Sequence, residues 1–156
     1  MTNSEDLKAV SVPFKFLDNN ATVPQYAYEG DAATDLCSTI ECVLQPFERI
    51  LIPCGFSLAL PHGYAGFVLP RSGLASKHGV TVLNAPGLID SNYRGEIAVS
   101  LINLDPHEPF SIHKGDRIAQ LAIFPIPLIS YDVVSELKET VRGEGGFGSS
   151  GINNSH

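Results

Sequence analysis

One stretch of the chain, residues 84–97, concentrates side chains that could do chemistry. It reads NAPGLIDSNYRGEI and brings Asp90 and Tyr93 close together. Apolar residues precede it at 80–83 and alternate with other residues after it at 97–102. This pattern predicts two strands joined as a hairpin with a long tip. Ordinary hairpins need only about two to five connecting residues, so the length of this connection favours a functional loop.

A second stretch, Pro70-Arg71-Ser72-Gly73, offers groups that bind phosphate. It ends an apolar strand-like run and supplies a guanidinium, a hydroxyl and backbone N–H groups, which together can cradle an anion. A plain turn with a surface arginine is the alternative for this tetrapeptide. A serine-hydrolase role for Ser72 would need a GxSxG elbow or an evident base, and neither is present.

Two carboxylates, Asp35 and Asp90, are separated along the chain and accompany these phosphate donors. Each could simply cap a turn or a backbone N–H. Two such groups beside phosphate donors also suit water activation and magnesium binding. The motifs taken together therefore indicate a nucleotide site.

The glycine-rich stretch at 142–151, RGEGGFGSSG, has too few apolar residues to pack as core. It predicts a mobile arm, with Arg142 as a charged fork and Phe147 as a flat face for a base. Residues 143–148 also match GxGxxG, but a dinucleotide site needs a preceding strand and a following helix. That interpretation is rejected.

The elements that must position these residues are short strands. The chain has 156 residues, of which 44% are hydrophobic, and suits one domain with a core at about 10–130 and an arm at about 142–156. Eleven prolines and fourteen glycines leave little room for long helices, so we predict an all-β sandwich, jelly roll or closed barrel. Besides the hairpin, we expect an edge strand at 10–16, a loop at 18–30, a segment ending in a strand at 30–38, strands at 49–53, 56–60, 64–69, 110–112 and 118–124 (the last central), a helical turn at 74–78 and a short helix at 133–141.

Charge and cysteine content exclude several classes of function. A net charge of −7 gives no overall attraction to nucleic acid or anionic membranes. No apolar run approaches the roughly 20 residues that span a bilayer, and the polar, acidic residues 1–10 are unlike a signal peptide. Three cysteines without CxxC or zinc-site spacing suggest free thiols. We expect a cytoplasmic protein with no nucleic-acid or membrane partner.

Five segments, in chain order, resemble the five motifs of the trimeric dUTPases, the deoxyuridine triphosphate nucleotidohydrolases. They are 30–38, 70–79, 84–97, 115–121 (GDRIAQL) and 142–151. The resemblance spans about Val10 to Gly151, and the second, third and fifth motifs are the specific ones. Ala33 departs from the glycine common in the first motif and leaves Asp35 in place.

The resemblance implies a jelly roll assembled as a homotrimer whose active sites are shared between chains. The implied reaction is hydrolysis of dUTP to dUMP and pyrophosphate, which limits uracil in DNA and supplies dUMP for dTTP synthesis. A dCTP deaminase-like enzyme or a non-catalytic nucleotide-binding protein on the same fold are the alternatives. The GxGGFGS arm argues against the first, and Asp90, Gln120 and the arm against the second.

The resemblance also implies a role for individual residues. Asp90 would deprotonate the water that attacks the α-phosphorus, with Gln120 helping to fix that water, and Asp35 would hold Mg²⁺ through its water shell. Tyr93 would pack against the deoxyribose, and the uracil edge would be read by Asn84, Gly87, Leu88 and Ile89. The phosphates would be bound by Arg71, Ser72 and Gly73, and the closing arm would supply Arg142, Phe147, Gly148 and Ser149.

Overall fold

The structure, a computed structural model, describes residues 9–146 of the chain. Its elements within that range are short, as expected where proline and glycine punctuate apolar runs. They are β1 Phe14–Phe16, β2 Thr34–Cys37, β3 Cys42–Leu44, β4 Arg49–Pro53, β5 Phe56–Leu58, β6 Tyr64–Leu69, α1 Ser72–His78, β7 Val80–Val82, β8 Gly87–Ile89, β9 Ala98–Asn103, β10 Phe110–Ile112 and β11 Arg117–Pro125. The all-β class is confirmed, and no helix in the described range is long and apolar enough to cross a bilayer.

Antiparallel sheets enclose one core in a jelly-roll arrangement. One sheet has the order β2-β11-β6-β8 and another the order β4-β9-β7, while β1-β5 and β3-β10 form two-stranded ribbons. Strand β9 alternates, with Val99 and Leu101 buried and Ser100 half-buried, which is the pattern of a strand with one face in the core. The inner faces contribute buried residues such as Leu36, Ile52, Phe56, Ile118 and Leu121.

Strand β11 is central, as its apolar character predicted. It lies between β2 and β6, so both of its edges are paired with other strands. Its register with β2 changes from Arg117↔Cys37 to Ala119↔Leu36. Ile118 is therefore the extra residue of a β-bulge, which bends a strand and redirects its side chains.

The hairpin is confirmed, but its tip is more than a loop. Strands β7 and β9 pair as predicted, and between them β8 leaves this sheet and pairs with β6, with Gly87 opposite Val68. A Cβ atom at Gly87 would lie 3.2 Å from the Val68 Cβ. The close approach of β8 to β6 thus favours glycine at this position, and the tip is bound to both sheets.

Two sequence expectations about helices need correction. The helical turn expected at 74–78 is part of a longer helix, α1, which ends at Gly79 in a left-handed conformation (φ 65). The helix predicted at 133–141 is wrong, because the segment has no regular structure and Val133 and Leu137 are almost fully exposed. Apolar residues at helical spacing do not hold a short helix without a surface to pack against.

The edge strand expected at 10–16 is shorter than predicted. It begins only at Phe14, after Pro13, whose nitrogen cannot donate to a ladder. It pairs with β5 alone, so its position at an edge is confirmed.

Candidate active site

A cleft of about 390 Å³ opens at the hairpin tip, between β7, β8 and β9. We call it the hairpin cleft. Its floor is apolar and includes the buried residues Val68, Val82 and Val99. The structure places six of the sequence-predicted site residues in its wall: Asn84, Gly87, Leu88, Ile89, Asp90 and Tyr93. Strand β8 is the last strand of its sheet. Its backbone N–H and C=O groups that point away from β6 are therefore not paired with another strand of that sheet.

Asp90 directly follows β8 and its side chain is exposed at the cleft. Its backbone carbonyl accepts the Tyr93 N–H at 3.1 Å, which closes a turn between the two residues. Within residues 9–146 no hydrogen bond engages the Asp90 carboxylate. The carboxylate is therefore available to a water or a ligand in the cleft.

Tyr93 is held in the cleft wall by its own turn. The hydroxyl donates to the Glu96 carbonyl oxygen at 3.0 Å. A Cβ atom at Gly95 would overlap the Tyr93 ring and hydroxyl, so the ring can lie in this place only beside a glycine. Glu96 in turn accepts the Gly55 N–H at 3.0 Å. The turn is thereby anchored to the β4–β5 connection.

A second group of predicted residues gathers at β2 and β11, at the opposite side of the four-stranded sheet from β8. Asp35 and Gln120 are directly opposite each other in the β2–β11 register. The Asp35 Oδ1 lies 3.3 Å from the Arg71 Nε, and its Oδ2 lies 3.3 Å from the Arg117 Nη1. We call Asp35, Arg71 and Arg117 the arginine–aspartate cluster. Two guanidiniums around one carboxylate leave a net positive charge, which suits the binding of phosphates.

Arg117 also belongs to this cluster; it lies in the segment 115–121 and is a candidate donor to a bound polyanion, but it was not among the predicted site residues. It is three positions before Gln120, and on a regular strand residues three apart point to opposite faces. The bulge at Ile118 removes that difference. Only the register of β11 with β2 shows that Arg117 shares a face with Asp35. The local sequence does not contain that register.

Ser72 and Gly73 form the first turn of α1, next to Arg71, and both are exposed. A Cβ atom at Gly73 would meet nothing within 4 Å. Glycine is thus not required there by the chain itself, and the surface beside it is open to a ligand.

The cluster contains an oxygen that suits a hydrated cation. The Asp35 Oδ1 is buried and has no hydrogen-bond partner among residues 9–146. Arg71 is within ion-pair distance of that oxygen, but its N–H is not aligned for a hydrogen bond. No group of three or more His, Cys, Asp or Glu residues gathers within the described range to form a metal cage. Mg²⁺ commonly keeps several waters and uses one or two carboxylates with substrate phosphates, so the residues present fit a magnesium ion.

The hairpin cleft and the cluster lie apart within one chain. Ile89 is opposite Gly66, so Asp90 is level with Ala65, four residues from the Leu69 that is opposite Gln120. At about 3.3 Å per residue and about 4.8 Å between strands, Asp90 and Gln120 are roughly 16 Å apart. The structure brings each set of predicted residues together but does not bring the two sets to each other.

The arm residues stand outside both sets. Arg142 is exposed, and its Nε donates to the Gly145 carbonyl oxygen at 2.8 Å within a local turn. The predicted contacts of Phe147, Gly148 and Ser149 lie outside the described residues.

Fold and site together define a class of protein, a jelly-roll protein with a cleft beside the edge strand β8 and a separate cluster of two arginines around one buried aspartate. The family model described as dUTPase matches residues 19–151. The chain therefore belongs to the dUTPase family, and the prediction from the five motifs is confirmed.

Curated relatives support this membership over most of the chain. The deoxyuridine 5'-triphosphate nucleotidohydrolase of Thermobifida fusca (strain YX) is 49% identical over 142 residues, which are 91% of this chain and 79% of that protein. The protein of the same name from Leifsonia xyli subsp. xyli (strain CTCB07) is 52% identical over 129 residues, covering 83% of this chain and 85% of its own.

Solved structures with the same fold are also dUTPases. A mutant dUTPase of Staphylococcus bacteriophage 80alpha, solved with dUpNHpp, superimposes with a TM-score of 0.85 at 30% identity, over 92% of this chain and 100% of that one. A mutant dUTPase from phage phi11 of S. aureus gives a TM-score of 0.77 at 25% identity, over 83% and 100% of the two chains. That structure describes the coordination of a structural Mg(II) ion.

Proposed function

We propose that this chain is a dUTP diphosphatase that hydrolyses dUTP to dUMP and pyrophosphate. The observation that carries the proposal is the Asp90 carboxylate in the wall of the hairpin cleft, unengaged by the described residues, in a chain of the dUTPase family. The relatives' name and the phage structure solved with dUpNHpp support dUTP as the substrate.

In this proposal Asp90 accepts the proton of the water that attacks the α-phosphorus in line. An exposed carboxylate that no residue of 9–146 engages can take a water as ligand. A modest base suffices because positioning and electrostatics dominate phosphoryl transfer. Gln120, from the other set of residues, helps to fix that water and a phosphate oxygen.

Uracil and deoxyribose bind in the hairpin cleft. The amide of Asn84 and the backbone of β8 (Gly87, Leu88 and Ile89) hydrogen-bond the base edge, and a base with exchanged donors and acceptors leaves those groups unpaired. The Tyr93 ring, fixed by Glu96 and Gly95, lies against the sugar and leaves no space for a 2'-hydroxyl.

The triphosphate binds at the arginine–aspartate cluster and the start of α1. Arg71, Ser72 and Gly73 contact its oxygens, and Asp35 holds Mg²⁺ through water. When bound, the ion withdraws charge from the attacked phosphorus. The arm then closes over the nucleotide, with Phe147 on the uracil and Arg142, Gly148 and Ser149 at the phosphates.

The complete site is shared between chains of a homotrimer. The separation of roughly 16 Å between Asp90 and Gln120 in one chain supports a site assembled from the hairpin cleft of one chain and the cluster of another. Large apolar side chains that are nearly fully exposed after β11, at Leu128, Tyr131 and Val133, support burial against a second copy. We also propose that residues 1–156 form one domain, with a core at about 10–130 and an arm at about 142–156.

Substrate tests decide between this function and its alternatives. The wild-type protein is offered each deoxynucleoside triphosphate, and UTP, with Mg²⁺, and pyrophosphate and ammonia are measured. We expect pyrophosphate from dUTP in large preference to dCTP, dTTP and UTP. Ammonia from dCTP would indicate a deaminase, and binding of dUTP without any turnover would indicate a non-catalytic protein.

The residue test is Asp90→Asn, which keeps the size of the side chain and removes its basicity. We expect kcat to fall by roughly 10² or more while dUpNHpp still binds. The control is Glu41→Gln, an exposed carboxylate outside the cleft, which should leave kcat unchanged. Near-normal turnover of Asp90→Asn would remove Asp90 from the role of base.

A further inference from the structure

The β-bulge in β11 places Arg117 on the face of the sheet that carries Asp35. Arg117 is opposite Cys37 and Gln120 is opposite Asp35. Residues 35 and 37 are two apart on β2 and share a face. Their partners on β11 share that face only because Ile118 is inserted between the two registers. Bulges beside functional sites commonly redirect a side chain in this way.

Arg117 contacts only one of the two carboxylate oxygens of Asp35. The Arg117 Nη1 donates to Oδ2 at 3.3 Å, whereas the buried Oδ1 receives no hydrogen bond from residues 9–146. The Asp35 side chain is 14% exposed and that of Arg117 is 54% exposed. The Arg117 guanidinium therefore holds Oδ2, while the Arg71 Nε lies 3.3 Å from Oδ1, so each arginine fixes one oxygen of the carboxylate.

The backbone of Arg117 has a separate task. Its carbonyl oxygen accepts the Arg71 Nη1 at 2.9 Å, which fixes the guanidinium that the proposed function assigns to the phosphates. A substitution of the Arg117 side chain leaves this carbonyl in place. Loss of the Asp35 contact can thus be separated from loss of Arg71.

We propose that Arg117 is a positioning residue for Asp35, holding Oδ2 so that the carboxylate keeps the orientation in which it can bind a hydrated Mg²⁺. This inference rests on the proposed function, since it assigns a task within the same site. Without the Arg117 side chain the carboxylate can rotate about its last torsion and exchange its oxygens. The water shell of the ion then loses its fixed acceptor, and Mg²⁺ strengthens nucleotide binding less.

The test measures how far Mg²⁺ improves the binding of dUpNHpp, by titration calorimetry of the assembled protein with and without the ion. The ratio of the two Kd values is the coupling between ion and nucleotide. We expect Arg117→Gln to reduce this ratio about tenfold with little change in the Mg²⁺-free Kd, and Arg117→Lys to restore part of it. Lys114→Gln removes the same charge from the turn before β11 and should leave the ratio at the wild-type value.

A double mutant shows whether Arg117 acts through Asp35. Asp35→Asn should lower the ratio by itself, and Arg117→Gln should then add little, because coupled residues are not additive. An equal loss of affinity with and without Mg²⁺ in Arg117→Gln would show a direct phosphate contact and overturn the proposal. An unchanged ratio would overturn it as well.

A nucleotide-free crystal structure of Arg117→Gln tests the positioning role without any substrate. We expect the Asp35 carboxylate to have turned, with Oδ1 displaced from its buried position, while Arg71 still donates to the residue-117 carbonyl. An unmoved Asp35 would overturn the inference. Failure of the wild-type protein to bind dUpNHpp would instead contradict the proposed function, and this structure would still decide the role of Arg117.

Discussion

Two carboxylates of this chain have opposite surroundings, which suits them to different tasks. Asp35 is mostly buried between two guanidiniums, so it is rigid and its charge is balanced. Asp90 is exposed at the end of β8 and engages no described donor through its carboxylate, so it is free to bind water. The residue types were visible in the sequence, but the difference between their environments depends on strand pairing.

Replacement of Tyr93 tests sugar discrimination at the residue scale. Tyr93→Ala removes the ring from the cleft wall. Turnover of dUTP should therefore fall, while turnover of UTP should rise relative to that of dUTP. We expect the ratio of kcat/KM for dUTP over UTP to narrow by about tenfold, equal to about 1.4 kcal/mol. Gly95→Ala should narrow it too, because its Cβ displaces the ring. Tyr28→Ala, an exposed tyrosine outside the hairpin cleft, is the control, and an unchanged ratio in Tyr93→Ala would place sugar recognition elsewhere.

The buried thiol of Cys54 leads us to expect that the folded protein loses stability at alkaline pH. Burial, with smaller contributions from Cys37 and Glu96, raises the pKa of its thiol to about 12. Since the unfolded thiol ionises at a lower pH, the unfolded state releases its proton first as the pH rises. The free energy of unfolding should therefore decline above about pH 8.5, by about 1.4 kcal/mol per pH unit from this group, until the folded thiol also ionises.

Urea unfolding at pH 8, 9.5 and 10.5 measures that decline. Cys54→Ala should show a shallower decline than wild type, whatever its stability at pH 8. Cys42→Ala is the matched comparison, because burial also raises the pKa of Cys42 but this residue is only half-buried. Equal slopes in wild type and Cys54→Ala would contradict the expectation.

At the scale of elements, most strands could be predicted because each is an apolar run between proline, glycine or polar residues. Strand β8 could not, since Gly87–Ile89 lies among turn residues and is a strand only through its pairing with β6. The bulge at Ile118 was equally hidden, because its cause is the register with β2. The prediction of a helix at 133–141 was wrong for the opposite reason: the sequence has the periodic apolar pattern, but the segment has no surface to pack against.

The arm can be tested as an element. Deletion of the residues after Val141 removes little from the core, because residues 142–146 are largely exposed. We expect an unchanged melting temperature and oligomeric state but a large drop in kcat/KM for dUTP, because the lid excludes water and orients phosphates. Deletion of only the residues after Gly151 should keep activity. Unfolding of the longer truncation, or full activity in it, would contradict the role of the arm as a lid.

At the scale of the whole molecule, the separation of the hairpin cleft from the arginine–aspartate cluster predicts complementation between chains. We expect Asp90→Asn and Arg71→Ala chains each to be inactive as homo-oligomers. In randomly mixed oligomers, a site that takes Asp90 from one chain and Arg71 from another is intact in about a quarter of cases.

Co-expression of the two variants, followed by dUTP assay, measures this directly. We expect about a quarter of wild-type turnover from the mixed protein. The control combines both substitutions in one chain and mixes it with either single variant, which leaves no intact site whichever chains supply the two residues. No recovered activity in the first mixture would mean that each site belongs to one chain.

Strand β8 has an evolutionary consequence, because it both lines the hairpin cleft and pairs within the core sheet. Ile89 is buried and Gly87 lies against Val68, so a substitution that altered base selection at either position would also loosen the fold. Leu88, between them, is 61% exposed and lines the same cleft. Substitutions in this strand are therefore tolerated mainly at Leu88. In a lineage whose preferred base changes, substitutions at Gly87 and Ile89 would be selected against because they reduce stability.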